Sequence, residues 1–170
     1  MPLIGVSIAV PEPCGRTLQD YRVSLGDDGA HQIPTHITLV PPTEVAEADV
    51  PDVVSHLESA AASHDPFGIH LRGSGTFRPV SPVVFVGVVK GISECELLAK
   101  SVRTGPLDLS LEFPYHPHVT VAHHLPEQTL DRAFDELGDF ECSFEVDGFW
   151  LYTYDEQPGW VPTRAFALRD

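Results

Sequence analysis

Positive charge is scarce in this chain. Ten Lys and Arg residues stand against twenty-five Asp and Glu over 170 residues, a formal net charge of −15. A groove that tracks a long nucleic-acid backbone is lined with Lys and Arg, so no extended nucleic-acid groove is expected, although a local polar pocket for a small phosphate remains open. Cysteine is also sparse. Cys14, Cys95 and Cys142 are odd in number, far apart and lack Cys-x-x-Cys spacing, which gives no sign of a cysteine-built metal site. Reduced thiols in a cytoplasmic protein are the simplest expectation. No apolar run approaches the ~18 residues that span a bilayer, so no membrane partner is expected. Residues 1–10 are apolar, lack a basic stretch and stop at Pro11, which reads as a strand rather than a leader. No low-complexity linker divides the chain. Residues 1–170 are therefore expected to form one domain with room for two lobes, as a monomer.

What is present is a mixed pattern of strands and four helices. Apolar alternation or apolar runs mark strands over residues 3–10, 36–40, 67–77, 83–89, 118–122, 140–146, 149–154 and 160–168. Pro41-Pro42 should end the strand that starts at His36, because proline cannot donate to a ladder. Helical spacing marks residues 17–25, 49–63, 93–102 and 127–137, with Asp49 and Ser93 as candidate caps. Residues 111–116 lead into the strand at His118. Short turns such as Ser81-Pro82 and Glu156-Gln157-Pro158-Gly159 join neighbouring strands, which makes the pairs antiparallel and the fold class α+β.

Within this pattern one string occurs twice: His36-Ile37-Thr38-Leu39 and His118-Val119-Thr120-Val121. Nine histidines and ten threonines in 170 residues give by chance roughly half an expected His-x-Thr. Two, each flanked by prolines (Pro34 and Pro41-Pro42; Pro114 and Pro117), are less easily dismissed. On a strand, side chains alternate between faces. Each histidine then shares a face with its threonine while the apolar partners enter the core. Cleaving a phosphodiester without metal needs a base for water, an acid for the leaving oxygen on the opposite side, and donors for the non-bridging oxygens. Imidazole suits both proton roles because its reference pKa of ~6.5 lies near working pH. Threonine hydroxyls are neutral donors. In-line attack needs the imidazoles on opposite sides of phosphorus, which two strands from two lobes can supply and one strand cannot.

These residues resemble the paired signatures of the 2H phosphoesterase superfamily, and within it the bacterial 2′-5′ RNA ligase and RNA 2′,3′-cyclic phosphodiesterase-like proteins. The segment Phe67 to Phe77 with Gly73-x-Gly75-x-Phe77, and Pro117 leading the second string, extend the resemblance along the chain. It implies a bilobal fold with approximate two-fold symmetry around a cleft, two antiparallel-rich sheets, and helices outside. It also implies opening of a 2′,3′-cyclic phosphate end or a small cyclic nucleotide, with 2′-5′ ligation as the reverse reaction. His36 and His118 would be the acid–base pair, and Thr38 and Thr120 would bind phosphate oxygens, with no cofactor and no metal. The partner would be a small cyclic nucleotide or a cyclic-phosphate-ended oligonucleotide. Several RNA-processing members place an arginine three residues after the second threonine; here that position is His123. A neutral imidazole offers phosphate less charge than a guanidinium, which moves the expectation from long RNA toward a small cyclic phosphate.

Other residues beside the motifs are candidates for substrate contact. Phe77 and Arg78 follow a Gly-rich turn and would stack on a base and meet phosphate; a core Phe and a solvated Arg are the plain alternative. Tyr115 and His116 adjoin the second motif and either line the cleft or form an exposed turn. Trp150 and Trp160 fit a hairpin packed on the core, without a ligand role. His31, His56, His64 and His70 read as surface residues. Two other readings compete. His116, His118, His123 and His124 invite a cupin-like metal site, which leaves His36 and Thr38 unexplained. A non-catalytic nucleotide-binding module would not need both histidines.

Overall fold

A computed structural model of the chain describes all residues except 28, 29, 31, 32, 109–113 and 170. The turn expected at residues 27–29 lies partly outside this set, as do His31 and residues 111–113 of the approach to the second motif. Among the described residues there are eight strands and four α-helices. The strands are β1 (Leu3–Ala9), β2 (His36–Glu44), β3 (Phe67–Thr76), β4 (Val83–Lys90), β5 (His118–His123), β6 (Glu141–Val146), β7 (Gly148–Asp155) and β8 (Gly159–Ala167). The helices are α1 (Cys14–Ser24), α2 (Val50–Ala62), α3 (Ile92–Val102) and α4 (Glu127–Glu136).

The strands form two four-stranded sheets, in the orders β2-β1-β7-β8 and β5-β4-β3-β6, and every pairing is antiparallel. The fold is therefore α+β, as expected from the short turns. Each sheet has a motif strand at one edge, and these two edges meet at the centre of the molecule, where β2 contacts β5. Sheet edges are otherwise sites of unwanted pairing; here two of them are turned toward each other and form the walls of a cleft. The helices α2 and α3 pack together and against β8 and β2 of the first sheet. α4 covers β3, β4 and β5, and α1 crosses from β1 to pack on β5 and β6 of the second sheet.

Burial follows the alternation. Ile37, Leu39, Val119 and Val121 are buried in one continuous apolar cluster, whereas His36, Thr38, His118 and Thr120 are half-buried on the opposite face. β4 is central and reads as a near-continuous apolar run, with Val83 to Val86 all buried.

Some local expectations are corrected. Pro41 and Pro42 do not end β2, which runs on to Glu44. β2 is an edge strand, and both prolines lie opposite the single residue Gly5 at a bulge, between the pairs Val6↔Val40 and Ile4↔Thr43. At an edge bulge the missing N–H removes no required ladder bond. Asp49 precedes α2 but makes no side-chain cap bond. Ser93 lies inside α3, whose start is Gly91 at φ 97°. A Cβ there would sit 2.7 Å from the Gly68 carbonyl oxygen, so the turn into α3 requires glycine.

The thiol expectation is also overturned: Cys14 and Cys142 form a disulfide, with Cα atoms 6.2 Å apart, and only Cys95 is free. The two cysteines are 128 residues apart in sequence, and only the crossing of α1 onto β6 brings them together. The bond removes the cysteine argument for a cytoplasmic location. No helix among the described residues is long and apolar enough to cross a membrane.

His56, His64 and His70 are half-buried rather than on the surface. His56 Nε2 lies 3.1 and 3.0 Å from the carbonyls of Ser101 and Val102 at the end of α3, and His64 Nε2 lies 2.7 Å from Ser101 Oγ. His70 Nε2 lies 3.4 Å from Glu141.

Candidate active site

The two motif strands hold their imidazoles in the same way. His36 Nδ1 lies 2.7 Å from the carbonyl of Pro34, and His118 Nδ1 lies 2.6 Å from the carbonyl of His116. A carbonyl only accepts, so Nδ1 carries the hydrogen in each ring and donates it two residues back along the chain. Nε2 is left in both rings as the nitrogen able to meet a ligand. The prolines before the motifs serve this geometry: Pro34 supplies one acceptor, and Pro117 separates His118 from the other.

Both strands also carry a bulge just after the threonine. In β2, Thr38 and Val40 face Ser7 and Val6, which leaves Leu39 as the extra residue. In β5, Thr120 and Ala122 face Phe85 and Val84, which leaves Val121 extra. An extra residue changes which side chains share a face. His123 is thereby returned to the face of His118 and Thr120, and all three line one cavity with His36. The cavity has a volume of about 460 Å³, and Arg22, Asp27, Ile33, Phe77 and Ser81 complete much of its wall. A second cavity of about 580 Å³ opens on the other side of His118, lined largely by apolar groups including Phe77, Val80, Pro114 and Tyr115, with Thr38 and His116. His118 thus stands between a polar arm, which it shares with His36, and an apolar arm of one cleft.

Enclosure by the walls favours the neutral rings. His36 keeps a partial opening to solvent, yet desolvation pushes its pKa down to about 4, against the opposing pull of the Pro34 carbonyl; Arg22 and His118 lower it further. Desolvation also holds His118 below its ordinary value, partly offset by the His116 carbonyl, with the His116 ring adding to the depression. His123 is lowered by burial and by His124, against Asp27.

Of the remaining sequence candidates, Phe77 reaches the cleft. Its ring packs 4.6 Å from that of Phe85 and edge-on to His118 at 5.0 Å. Phe85 in turn occupies the space above Gly75, where a Cβ would lie 2.5 Å from the ring. These rings form the apolar wall behind His118. Arg78 points instead to α4, where Nη1 pairs with Glu127 at 2.9 Å and Asp131 at 2.8 Å. Tyr115 lines the apolar arm and also joins the lobes: its hydroxyl donates to the Thr38 carbonyl at 2.7 Å, with Arg103 over its ring. His116 is exposed and lies 5.7 Å from His118, ring to ring. Among the described residues no three His, Cys, Asp or Glu side chains converge as ligands. Two residues at the cleft have no ligand role in the sequence reading. Trp160 borders a recess beside His36 and Thr38 with Tyr152, and Arg22 lines the histidine cavity from α1. Neither sits near a motif in sequence, and only the sheet order and the crossing of α1 bring them in.

Comparison with known proteins agrees with this architecture. The chain is 29% identical over 166 residues, 96% of each protein, to a Halalkalibacterium halodurans protein whose name is that of an inferred phosphoesterase. It is 30% identical over 138 residues, 80% of each, to a similarly named protein of Bacillus cytotoxicus. Among solved structures, E. coli LigT complexed with 3′-AMP superposes with a TM-score of 0.68 over 100% of both chains, at 19% identity, which speaks to the fold alone. The model of the 2′-5′ RNA ligase superfamily matches residues 10–158. With two antiparallel sheets meeting at their His-x-Thr edges and that match over most of its length, the chain belongs to the 2′-5′ RNA ligase superfamily, the 2H phosphoesterases.

Proposed function

We propose that this protein is a metal-independent phosphodiesterase that opens 2′,3′-cyclic phosphate ends or small cyclic nucleotides, with His36 and His118 as the acid–base pair. The observation that carries the reading is the matched tethering of the two imidazoles. Each donates Nδ1–H to a main-chain carbonyl, and both line the same cavity. One neutral ring takes a proton from water through Nε2 as the water oxygen attacks phosphorus. The other ring, protonated, gives its proton to the departing ribose oxygen, so the cyclic diester becomes a monoester. Thr38 and Thr120 donate hydroxyl hydrogens to the non-bridging oxygens. The same steps run backward join a cyclic phosphate to a hydroxyl.

The size of the cleft and the net charge of −15 favour a nucleotide-sized ligand over a long strand. E. coli LigT has been crystallised with 3′-AMP and with phosphate, and a similar fold here supports the same class of ligand. The apolar arm with Phe77 and Tyr115 suits a base or ribose. The test is a panel of 2′,3′-cyclic nucleotides and cyclic-ended or 2′-5′-linked oligonucleotides, assayed with and without EDTA. Turnover that survives EDTA is expected. Turnover abolished by EDTA would favour a metal site around His116 and His118, and binding without turnover would favour a non-catalytic module.

A further inference from the structure

A phosphate between two neutral imidazoles and two hydroxyls has no counter-ion among those four groups. Among the described residues lining the histidine cavity, Arg22 is the only Lys or Arg. It lies in the last turn of α1 and is 6% exposed. Its Nη1 donates to Gln19 Oε1 at 2.8 Å and to the Ile33 carbonyl at 2.9 Å. Gln19 also accepts from Thr35 Oγ1 at 3.0 Å and donates to the Ala30 carbonyl at 2.7 Å. The guanidinium is therefore fixed to the segment that delivers His36.

A charge this enclosed is costly unless an anion faces it. Its two Nη1 bonds go to neutral acceptors, and Asp27, on the same cavity wall, opposes the lowering caused by burial. The field of Arg22 reaches His36. The other nearby guanidinium groups are placed differently: Arg78 is held by Glu127 and Asp131, and Arg103 lies over Tyr115.

We infer that Arg22, reaching the cleft from α1, is the phosphate-binding cation of this site. The inference rests on the phosphodiester reading above. A guanidinium stays charged and presents a planar fork that matches phosphate oxygens. It supplies from α1 the charge that His123, three residues after Thr120, does not. Charge that builds on the non-bridging oxygens during attack makes Arg22 more valuable in the transition state than in the ground state.

The first arm of the test uses the wild-type protein. Inorganic phosphate is titrated while the Arg22 side-chain N–H and the His36 and His118 imidazoles are followed by NMR. All three should shift with one common Kd. Imidazole shifts without an Arg22 shift, or no shifts at all at tens of millimolar phosphate, would overturn the inference. The second arm compares R22Q and R22K, with melting curves to confirm folding. R22Q should bind phosphate roughly 10²-fold more weakly and lose on the order of 10²-fold in kcat/KM, with part of the loss in kcat. R22K should recover part of both, because the charge is kept and the fork lost. A folded R22Q with wild-type phosphate affinity and kcat/KM overturns the inference and leaves the phosphodiesterase reading standing. Arg22-dependent phosphate binding without turnover of any cyclic nucleotide does the reverse. If R22Q does not fold, the wild-type titration and R22K decide.

Discussion

An anion placed between His36 and His118 must move their titration upward, and the displacement is large enough to see in two separate pH profiles. In the free protein His36 is held at about 4 by desolvation, and His118 below 6.5. The proposed mechanism needs one ring protonated and the other neutral. The profile of kcat/KM reports the free enzyme, so its bell should rise near pH 4 and fall below pH 6.5. The profile of kcat reports the complex. A monoanion ~4 Å from an imidazolium at an effective dielectric of ~20 contributes about 4 kcal/mol, or about 3 pH units as an upper bound. The kcat bell should therefore lie at least about 1 pH unit above that of kcat/KM, and both limbs should move. Imidazole NMR titrations of the free and 3′-AMP-bound protein give the same numbers without turnover. A free His36 that titrates at or above 6.5, or bells that coincide, would refute the electrostatic account of the cleft.

Three further outcomes follow from the same structure. His36 has a lower pKa folded than unfolded, so the unfolded chain binds more protons between pH 6.5 and 4. Its contribution to stability is complete above about pH 6.5 and is lost as pH falls toward 4; discounted for the ring's partial exposure, the loss is on the order of 2 kcal/mol. Urea unfolding across this range should show that slope, and H36Q should flatten it; an unchanged slope in H36Q would contradict the assignment. Denatured, unreduced protein should titrate with one thiol, Cys95, and reduction of Cys14–Cys142 should destabilise the fold by about 2–4 kcal/mol. Three reactive thiols would contradict the disulfide. Tyr115→Phe removes the hydroxyl that spans the lobes to the Thr38 carbonyl. It should cost roughly 1 kcal/mol and raise KM more than it lowers kcat, and an unaltered melting curve and KM would show that the contact carries nothing.

The motif strands, the 149–168 hairpin and the α+β class are legible in the sequence because they rest on local alternation and turn chemistry. Apolar partners at Ile37, Leu39, Val119 and Val121 fix which face His36 and His118 occupy, whatever their neighbours. The features that escape are those set by pairing at a distance. The bulges at Leu39 and Val121 depend on which residues of β1 and β4 lie opposite, and without the second bulge His123 would face away from the cavity. Pro41 and Pro42 look like a strand end until β2 proves to be an edge. Arg22 reads as an ordinary helix residue and Cys14 as a free thiol, because nothing local reveals that α1 leaves the sheet of β1 for the other one. Arg78 illustrates the opposite error: a cation beside a Gly-rich turn looks free for phosphate, but α4 brings two carboxylates to it.

The paired-histidine mechanism is tested most directly by steady-state pH profiles of wild type, H36A and H118A on 2′,3′-cyclic nucleotides in EDTA. Wild type should give a bell, each variant should lose at least ~10² in kcat, and each should lose a different limb while the circular-dichroism spectrum stays unchanged. A folded variant that keeps full activity, or two variants that lose the same limb, would contradict the assignment of one proton to each ring.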